Sequence, residues 1–183
     1  MGCDGPLAPS LVEPLELRAG PFLDGDCALA ADGSLYCWYE YIANVPRHIV
    51  GREEWIGVSG GPQHACALSA SGAVECWGEN SEYQLGDGTR QARDEPTAVA
   101  GGHRFVSFET GDVSCGLTDQ GVPYCWGTIG WNTTKPAFVA PVPREIRGAP
   151  PLVRMSVGWM HGCGLTGEGE VWCWGWNGHN QFG

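Results

Sequence analysis

Eight of the nine cysteines fall into four pairs, and the members of each pair are ten residues apart: Cys27 and Cys37, Cys66 and Cys76, Cys115 and Cys125, Cys163 and Cys173. Paired thiols can form a disulfide, ligate a metal or act as nucleophiles, and spacing helps to separate these chemistries. Structural zinc sites gather thiols in close C-x2-4-C pairs, and none occurs here. His64 and His161 each precede a cysteine by two residues, as mixed His–Cys ligation would want, but the other two copies carry Gly25 and Val113 there. The pattern therefore favours disulfides over zinc or reduced core thiols. Each would close a loop of about ten residues and contribute about 2–3 kcal/mol. Such bridges persist outside the reducing cytosol, so the expected location is extracytoplasmic: secreted, periplasmic or cell-surface.

Each pair sits in a repeat that aligns without gaps: "CALAADGSLYCW" from Cys27, "CALSASGAVECW" from Cys66, "CGLTDQGVPYCW" from Cys115 and "CGLTGEGEVWCW" from Cys163. A β-hairpin with a three-residue loop accounts for the spacing. In the first copy the loop is Ala31-Asp32-Gly33, with glycine where a left-handed residue is needed. Ala30 and Ser34 then form a hydrogen-bonded pair, while Leu29–Leu35 and Cys27–Cys37 form non-hydrogen-bonded pairs. Residues in such pairs approach to about 4.5 Å between Cα atoms, inside disulfide range.

An alternating strand ending in glycine precedes each hairpin: "LELRAG", "WIGVSGG", "FVSFETG" and "VRMSVG". A loop and a proline-led segment follow the first three: "PRHIV", "PTAV" and "PAFV". The unit reads as a four-stranded antiparallel meander. One hairpin face carries Cys, Leu, Leu or Val, and Cys. The other carries the Trp with Tyr36, Tyr124 or Trp172, Glu75 being the exception, opposite small residues such as Ala28, Gly116 and Gly164. Sheets dressed on both faces suit blades with neighbours on each side, and radial stacking of such blades is a β-propeller. The expected fold is all-β: a β-propeller of about four four-stranded antiparallel blades, forming one domain over 1–183. The repeat units run near 14–51, 54–101, 104–149 and 152–183 plus 4–13.

"GPQHACALSASGAVECWGENSEYQLGDGT" resembles the repeat of the regulator of chromosome condensation family, whose signature runs G-x-x-H, C-A-L-x-x-x-G-x-V-x-C-W-G-x-N and Q-L-G-D-G. "GWMHGCGLTGEGEVWCWGWNGHNQFG" is similar over almost as many positions. The first copy has Tyr39 in place of the glycine after Trp38, and neither the first nor the third copy has the Q-L-G-D-G turn. The resemblance implies a propeller, usually of seven blades, and assigns His64 and His161 to packing or turn support. "DGPLAPSLV" reads like the strand missing from the fourth unit, so pairing of the N-terminal strand in the last blade is expected to close the ring. A head-to-tail dimer, or a longer protein containing these repeats, satisfies the same strand count. The family's chromatin binding and nucleotide exchange conflict with an acidic, disulfide-bonded chain and are not expected here.

Composition supports this reading and narrows the partners. The chain has 183 residues, 43% of them hydrophobic, with 29 glycines and 13 prolines, which suits one globular domain of short strands and turns. Its net charge of −11 repels phosphate backbones, and no basic stripe overrides that, so nucleic acid is not an expected partner. No apolar run is long enough to span a bilayer. No signal-peptide pattern opens the sequence, so an exported chain would begin here after cleavage. No G-x-S-x-G elbow, H-E-x-x-H or phosphate-cradling loop is present, and no catalytic residue, metal or cofactor is expected. Asp24 and Asp26 in "LDGDC" are weak evidence for a cation.

Trp38, Trp77, Trp126 and Trp174 belong to the repeat and read as structural. Trp131, Trp159 and Trp176 fall in expected loops, with Tyr83 and His179 in similar places. Loop aromatics supply rigid contact area at binding sites, although they also cover blade edges. Cys3 is left over: "GCD" resembles the end of a lipobox, and lipid attachment, a free thiol and an intermolecular bridge are all open. Asn132-Thr133-Thr134 is a glycosylation sequon that matters only in a eukaryotic secretory route. The expected function is a non-catalytic module that binds a protein through its loops, as a monomer or head-to-tail dimer. A carbohydrate-active or other hydrolytic propeller and an architectural piece of a surface assembly are the alternatives.

Overall fold

The computed structural model describes residues 25–30, 32–39, 43–51, 54–61, 63–129, 138–158, 160–180 and 182. The expected strand "LELRAG", the closing segment 4–13, Cys3, Asp24, Trp131, Asn132 and Trp159 lie outside these residues. Sheet 1 holds β1 (Gly25–Leu29), β2 (Leu35–Tyr39) and β3 (Ala43–Ile49). Sheet 2 holds β4 (Trp55–Gly60), β5 (His64–Ser69), β6 (Val74–Gly78) and β7 (Arg93–Ala98). Sheet 3 holds β8 (Ser107–Thr110), β9 (Val113–Leu117), β10 (Pro123–Ile129) and β11 (Phe138–Glu145). Sheet 4 holds β12 (Leu152–Val157), β13 (His161–Thr166) and β14 (Val171–Gly175). Every sheet is an antiparallel meander in chain order. Strand β8 touches β4 on one side and β12 on the other, so the first strands of sheets 2 to 4 sit together and the sheets radiate from them as blades. Ser59 Oγ and Thr110 Oγ1, 2.9 Å apart, link two of these inner strands.

The hairpins have the expected register. Cys27 lies opposite Cys37, Cys66 opposite Cys76, Cys115 opposite Cys125, and Cys163 opposite Cys173. All four pairs form disulfides, with Cα atoms 4.0–4.1 Å apart. The three-residue loops close through backbone hydrogen bonds such as Ala30 N to Ser34 O (2.8 Å) and Ser69 N to Ala73 O (2.9 Å). Their third residues, Gly33, Gly72, Gly121 and Gly169, have φ between 77° and 89°. Any Cβ there would be strained, which is why the glycine never varies among the copies. Thr118 Oγ1 and Thr166 Oγ1 also accept the N–H groups of Val122 and Glu170, each at 3.1 Å.

A bulge explains the prolines. Opposite Trp77 alone, strand β7 sets three residues, Asp94, Glu95 and Pro96, between the paired Arg93 and Thr97. The same slip places Asn44, Val45 and Pro46 opposite Trp38, and Pro141, Val142 and Pro143 opposite Trp126. Proline lacks an N–H and suits a position excused from the ladder. In the third copy the proline in this register is therefore Pro143, further along than the expected "PAFV"; Phe138, Val139 and Ala140 of that segment instead extend the pairing to Ile129, Thr128 and Gly127.

Packing follows one rule around the arc. The Cys–Leu face of each blade meets the Trp face of the next. Cys27, Leu29, Leu35, Cys37 and Ile49 of sheet 1 pack on Trp55, Ala65, Ala67 and Trp77 of sheet 2. Cys66, Leu68, Val74 and Cys76 pack on Phe108 and Trp126 of sheet 3 and on Phe105 just before it. Val113, Cys115, Leu117 and Cys125 pack on Leu152 and Trp174 of sheet 4. Burying side chains of this size stabilises by about 1.5–3 kcal/mol each. The small residue facing the large ring has a steric cause: a Cβ on Gly116 would lie 2.5 Å from the Phe105 ring. Glu75 takes the place held elsewhere by Tyr or Trp, and it too is buried.

Candidate functional site

The first-to-second and third-to-fourth strand connections of a blade lie at the same end. Glu79 N donates to Gln63 O (2.9 Å) in sheet 2, and Trp176 N to Met160 O (2.8 Å) in sheet 4. These connections form a rim. The short disulfide-locked turns occupy the opposite end.

The most elaborate rim loop is 79–92, and its polar residues are built inward. Asn80 is fully buried. Its Nδ2 donates to Asp87 Oδ1 (3.1 Å), Thr89 O (2.9 Å) and Gln91 O (3.1 Å), while its Oδ1 accepts Leu85 N (3.0 Å). Asp87 accepts from Thr89 N (2.8 Å), Thr89 Oγ1 (2.8 Å) and Arg93 Nη2 (2.9 Å). Burial alone would raise the Asp87 pKa, but these donors outweigh it and hold the carboxyl below its usual value. A network with its members satisfied fixes one conformation.

The same loop is bolted to the next blade. Gln84 O accepts both Trp126 Nε1 (2.9 Å) and Ser114 Oγ (3.1 Å) of sheet 3. Ser114 Oγ also lies 2.8 Å from Nε2 of His64, which is buried. Burial pushes the His64 pKa down to about 4, so its imidazole is neutral at ordinary pH. Leu85 is fully buried in the cluster that contains Trp126. Gly86, at φ 64°, lies so close that a Cβ would meet that indole at 2.6 Å. The Q-L-G-D-G run is thus an inter-blade clamp, and His64 serves packing.

On this framework Tyr83, at φ 63°, sits at the loop surface with the Arg90 guanidinium 4.6 Å over its ring. The equivalent loop of the last repeat is organised alike: Phe182 N donates to Asn177 Oδ1 (3.0 Å), as Leu85 N does to Asn80. Asn180, at φ 58°, repeats the Tyr83 backbone conformation. There the half-buried Trp176 meets exposed His179 edge-on at 4.7 Å. Tyr83, Trp176 and His179 therefore stand on equivalent loops of the second and fourth blades. His161 holds the place of His64, with its ring 6.4 Å from Phe182. Among the described residues no group of three or more His, Cys, Asp or Glu side chains could hold a metal ion.

The repeats and clamp match a known pattern. Models of the regulator of chromosome condensation (RCC1) repeat match residues 55–84, 153–181 and 71–117. The chain belongs to the RCC1 repeat family. Among curated proteins, it is similar to the human E3 ubiquitin-protein ligase HERC2, 29% identical over 132 residues, which is 65% of this chain but only 2% of that protein. Among solved structures, the fold is similar to human WBSCR16 at TM-score 0.73 and 18% identity, covering 84% of this chain and 45% of that one. Yeast RCC1 (Prp20), solved with Kap60 bound, gives TM-score 0.70 and 19% identity, covering 87% and 43%. These likenesses establish an RCC1-type β-propeller arrangement spanning less than half of either solved chain.

Sequence reasoning missed the internal scaffold of the loop, Asn80, Asp87 and Arg93, and the exposed Arg90 as the cation beside Tyr83. The signal was present in the W-G-x-N and Q-L-G-D-G stretches, read only as a resemblance.

Proposed function

We propose that this RCC1-type propeller is a non-catalytic scaffold that recognises a protein partner through its rim loops, in an extracytoplasmic setting. The observation that carries the reading is the construction of loop 79–92: buried Asn80 and half-buried Asp87 hold it rigid while Tyr83 and Arg90 remain at its surface. A pre-ordered aromatic–cation pair contributes contact area without an ordering cost on binding. Trp176 and His179 supply a ring–ring pair on the equivalent loop of the fourth blade. Trp131 and Trp159, which lie outside the described residues, stay in this proposal as loop aromatics on sequence grounds alone. Yeast RCC1, a protein of this fold, was solved with Kap60 bound, which supports a protein as the class of partner. The four disulfides support a compartment outside the reducing cytosol.

The test is affinity capture from the native extracytoplasmic fraction with the wild-type chain and with Tyr83→Ala/Trp176→Ala, both checked for equal melting temperature. A protein enriched by the wild type and reduced at least tenfold with the variant supports the reading. Identical captures by the two would refute it.

A further inference from the structure

The backbone turn that carries Tyr83 does not call for tyrosine. Tyr83 N donates to Asn80 O (3.1 Å), and the residue takes φ 63°. The equivalent turn of the fourth blade is closed by Asn180 N to Asn177 O (3.1 Å), with φ 58° at Asn180. Asparagine enters the left-handed region readily, whereas a bulky side chain is strained there. The second blade accepts that strain to set an aromatic ring on the rim, and strain held in this way clusters at functional sites.

What the ring holds is Arg90. Its guanidinium carbon lies 4.6 Å from the centroid of half-buried Tyr83, while the arginine itself is exposed. The backbone is pinned on both sides of Arg90, because Asn80 Nδ2 donates to Thr89 O (2.9 Å) and to Gln91 O (3.1 Å). The loop is fastened in turn to sheet 3, where Gln84 O accepts Trp126 Nε1 (2.9 Å) and Gly88 N donates to Pro141 O (3.0 Å). Arg93 is held by Asp87 at 2.9 Å, and Arg47 pairs with Glu95. Arg90 has no hydrogen-bond or ion-pair partner among the described residues, although Glu79 and Glu82 share its loop.

Resting on the rim-loop reading above, we propose that Arg90, seated on Tyr83, is the receptor for a carboxylate side chain of the protein partner. A guanidinium fork matches a carboxylate through two parallel N–H···O bonds. Contact with the ring fixes the cation without consuming its N–H groups, so little freedom is lost when the anion arrives. The chain's net charge of −11 disfavours a polyanion, so the anchor is a single Asp or Glu side chain rather than an acidic tract.

The test is an NMR titration of the oxidised 183-residue chain at low salt, following the arginine Nε–Hε signals. The probes are acetyl-Gly-Glu-Gly-amide, its glutamine counterpart and its phosphoserine counterpart. The Arg90 signal is expected to saturate with the glutamate peptide at a dissociation constant at least about fivefold below that of exposed Arg154, and to ignore the glutamine peptide. Tyr83→Phe should keep this preference. Tyr83→Asn should lose it with a melting temperature unchanged or raised, since the strain is relieved. Equal response to the glutamate and glutamine peptides, or equal affinity at Arg90 and Arg154, overturns the proposal. So does a phosphoserine peptide preferred at least tenfold over glutamate. A Tyr83→Asn chain that melts below the wild type assigns the ring to stability and overturns it as well. Affinity capture with Arg90→Gln separates this proposal from the one beneath it. A partner kept by Arg90→Gln but lost by Tyr83→Ala/Trp176→Ala removes the carboxylate anchor and leaves the scaffold reading standing. Identical captures by all the chains remove the scaffold reading, while the titration still decides the chemistry of Arg90.

Discussion

The Nε2 atom of His64 lies 2.8 Å from the Oγ atom of Ser114, across the boundary between the second and third blades. The pair is buried on both sides, so protonating the imidazole places a charge where water cannot follow.

This geometry fixes the acid response. The folded-state pKa of His64 is about 4 against 6.5 in the unfolded chain. Between those values the unfolded state binds more protons, so stability is full above about pH 6.5 and declines as pH falls toward 4. The loss is on the order of 3 kcal/mol. Asp87, whose carboxyl is held below its usual value, adds a further loss once the solution reaches the carboxylate range. Urea midpoints measured from pH 7 to pH 4 should fall steadily in the wild type. In His64→Gln the slope between pH 6.5 and 4.5 should largely disappear.

Two neighbouring glycines are expected to behave differently. Gly86 and Gly88 both have positive φ, at 64° and 84°. A Cβ on Gly86 would meet the Trp126 ring at 2.6 Å, whereas one on Gly88 finds only Val142 at 3.6 Å. Gly88→Ala should cost about 1 kcal/mol from backbone strain alone. Gly86→Ala should cost at least about 2 kcal/mol, because the clamp must withdraw from the indole. Guanidinium denaturation followed by tryptophan fluorescence would rank the two, and equal midpoints would remove the clamp from the explanation.

Asn80→Ala removes the hub of loop 79–92 and leaves Thr89 O, Gln91 O and Leu85 N without their partner. Stranding buried polar groups costs about 1–3 kcal/mol for each group left unsatisfied. The loop is expected to open, so amide exchange across 80–91 should accelerate at least tenfold while the strands of sheet 3 stay protected.

Alkylation of unreduced, denatured protein should modify Cys3 alone if it is a free thiol, and never the eight bridged cysteines. Replacing Cys115 and Cys125 together by serine should lower stability by about 2–3 kcal/mol. Mass spectrometry and a denaturation midpoint read the two outcomes.

The hairpins were legible because everything that defines them is local. Cys27 and Cys37 share a face by counting outward from Gly33, and a three-residue loop allows only that register. The alternation of Leu68 with Ala67, or Leu117 with Gly116, likewise states which face meets which neighbour. Ser114 and Gln84 could not be read as partners, since no periodicity within a strand encodes the height of one blade against the next. Asn80 was hidden for a related reason: loop hydrogen bonds follow the path of the backbone rather than a repeat of two. Pro143 shows the limit from the other side. The proline signal in the third copy was real, but "PAFV" and "PRE" compete for it, and only the ladder opposite Trp126 decides.

The two ends of the blades differ in what they permit an experimenter to do. The turn at Asp119 and Gln120 is exposed, closed by Thr118 and stapled by a neighbouring disulfide, and it lies on the side away from Tyr83. A dye, a biotin or a surface tether placed there would hold the molecule by its blunt side and leave the aromatic loops pointing into solution.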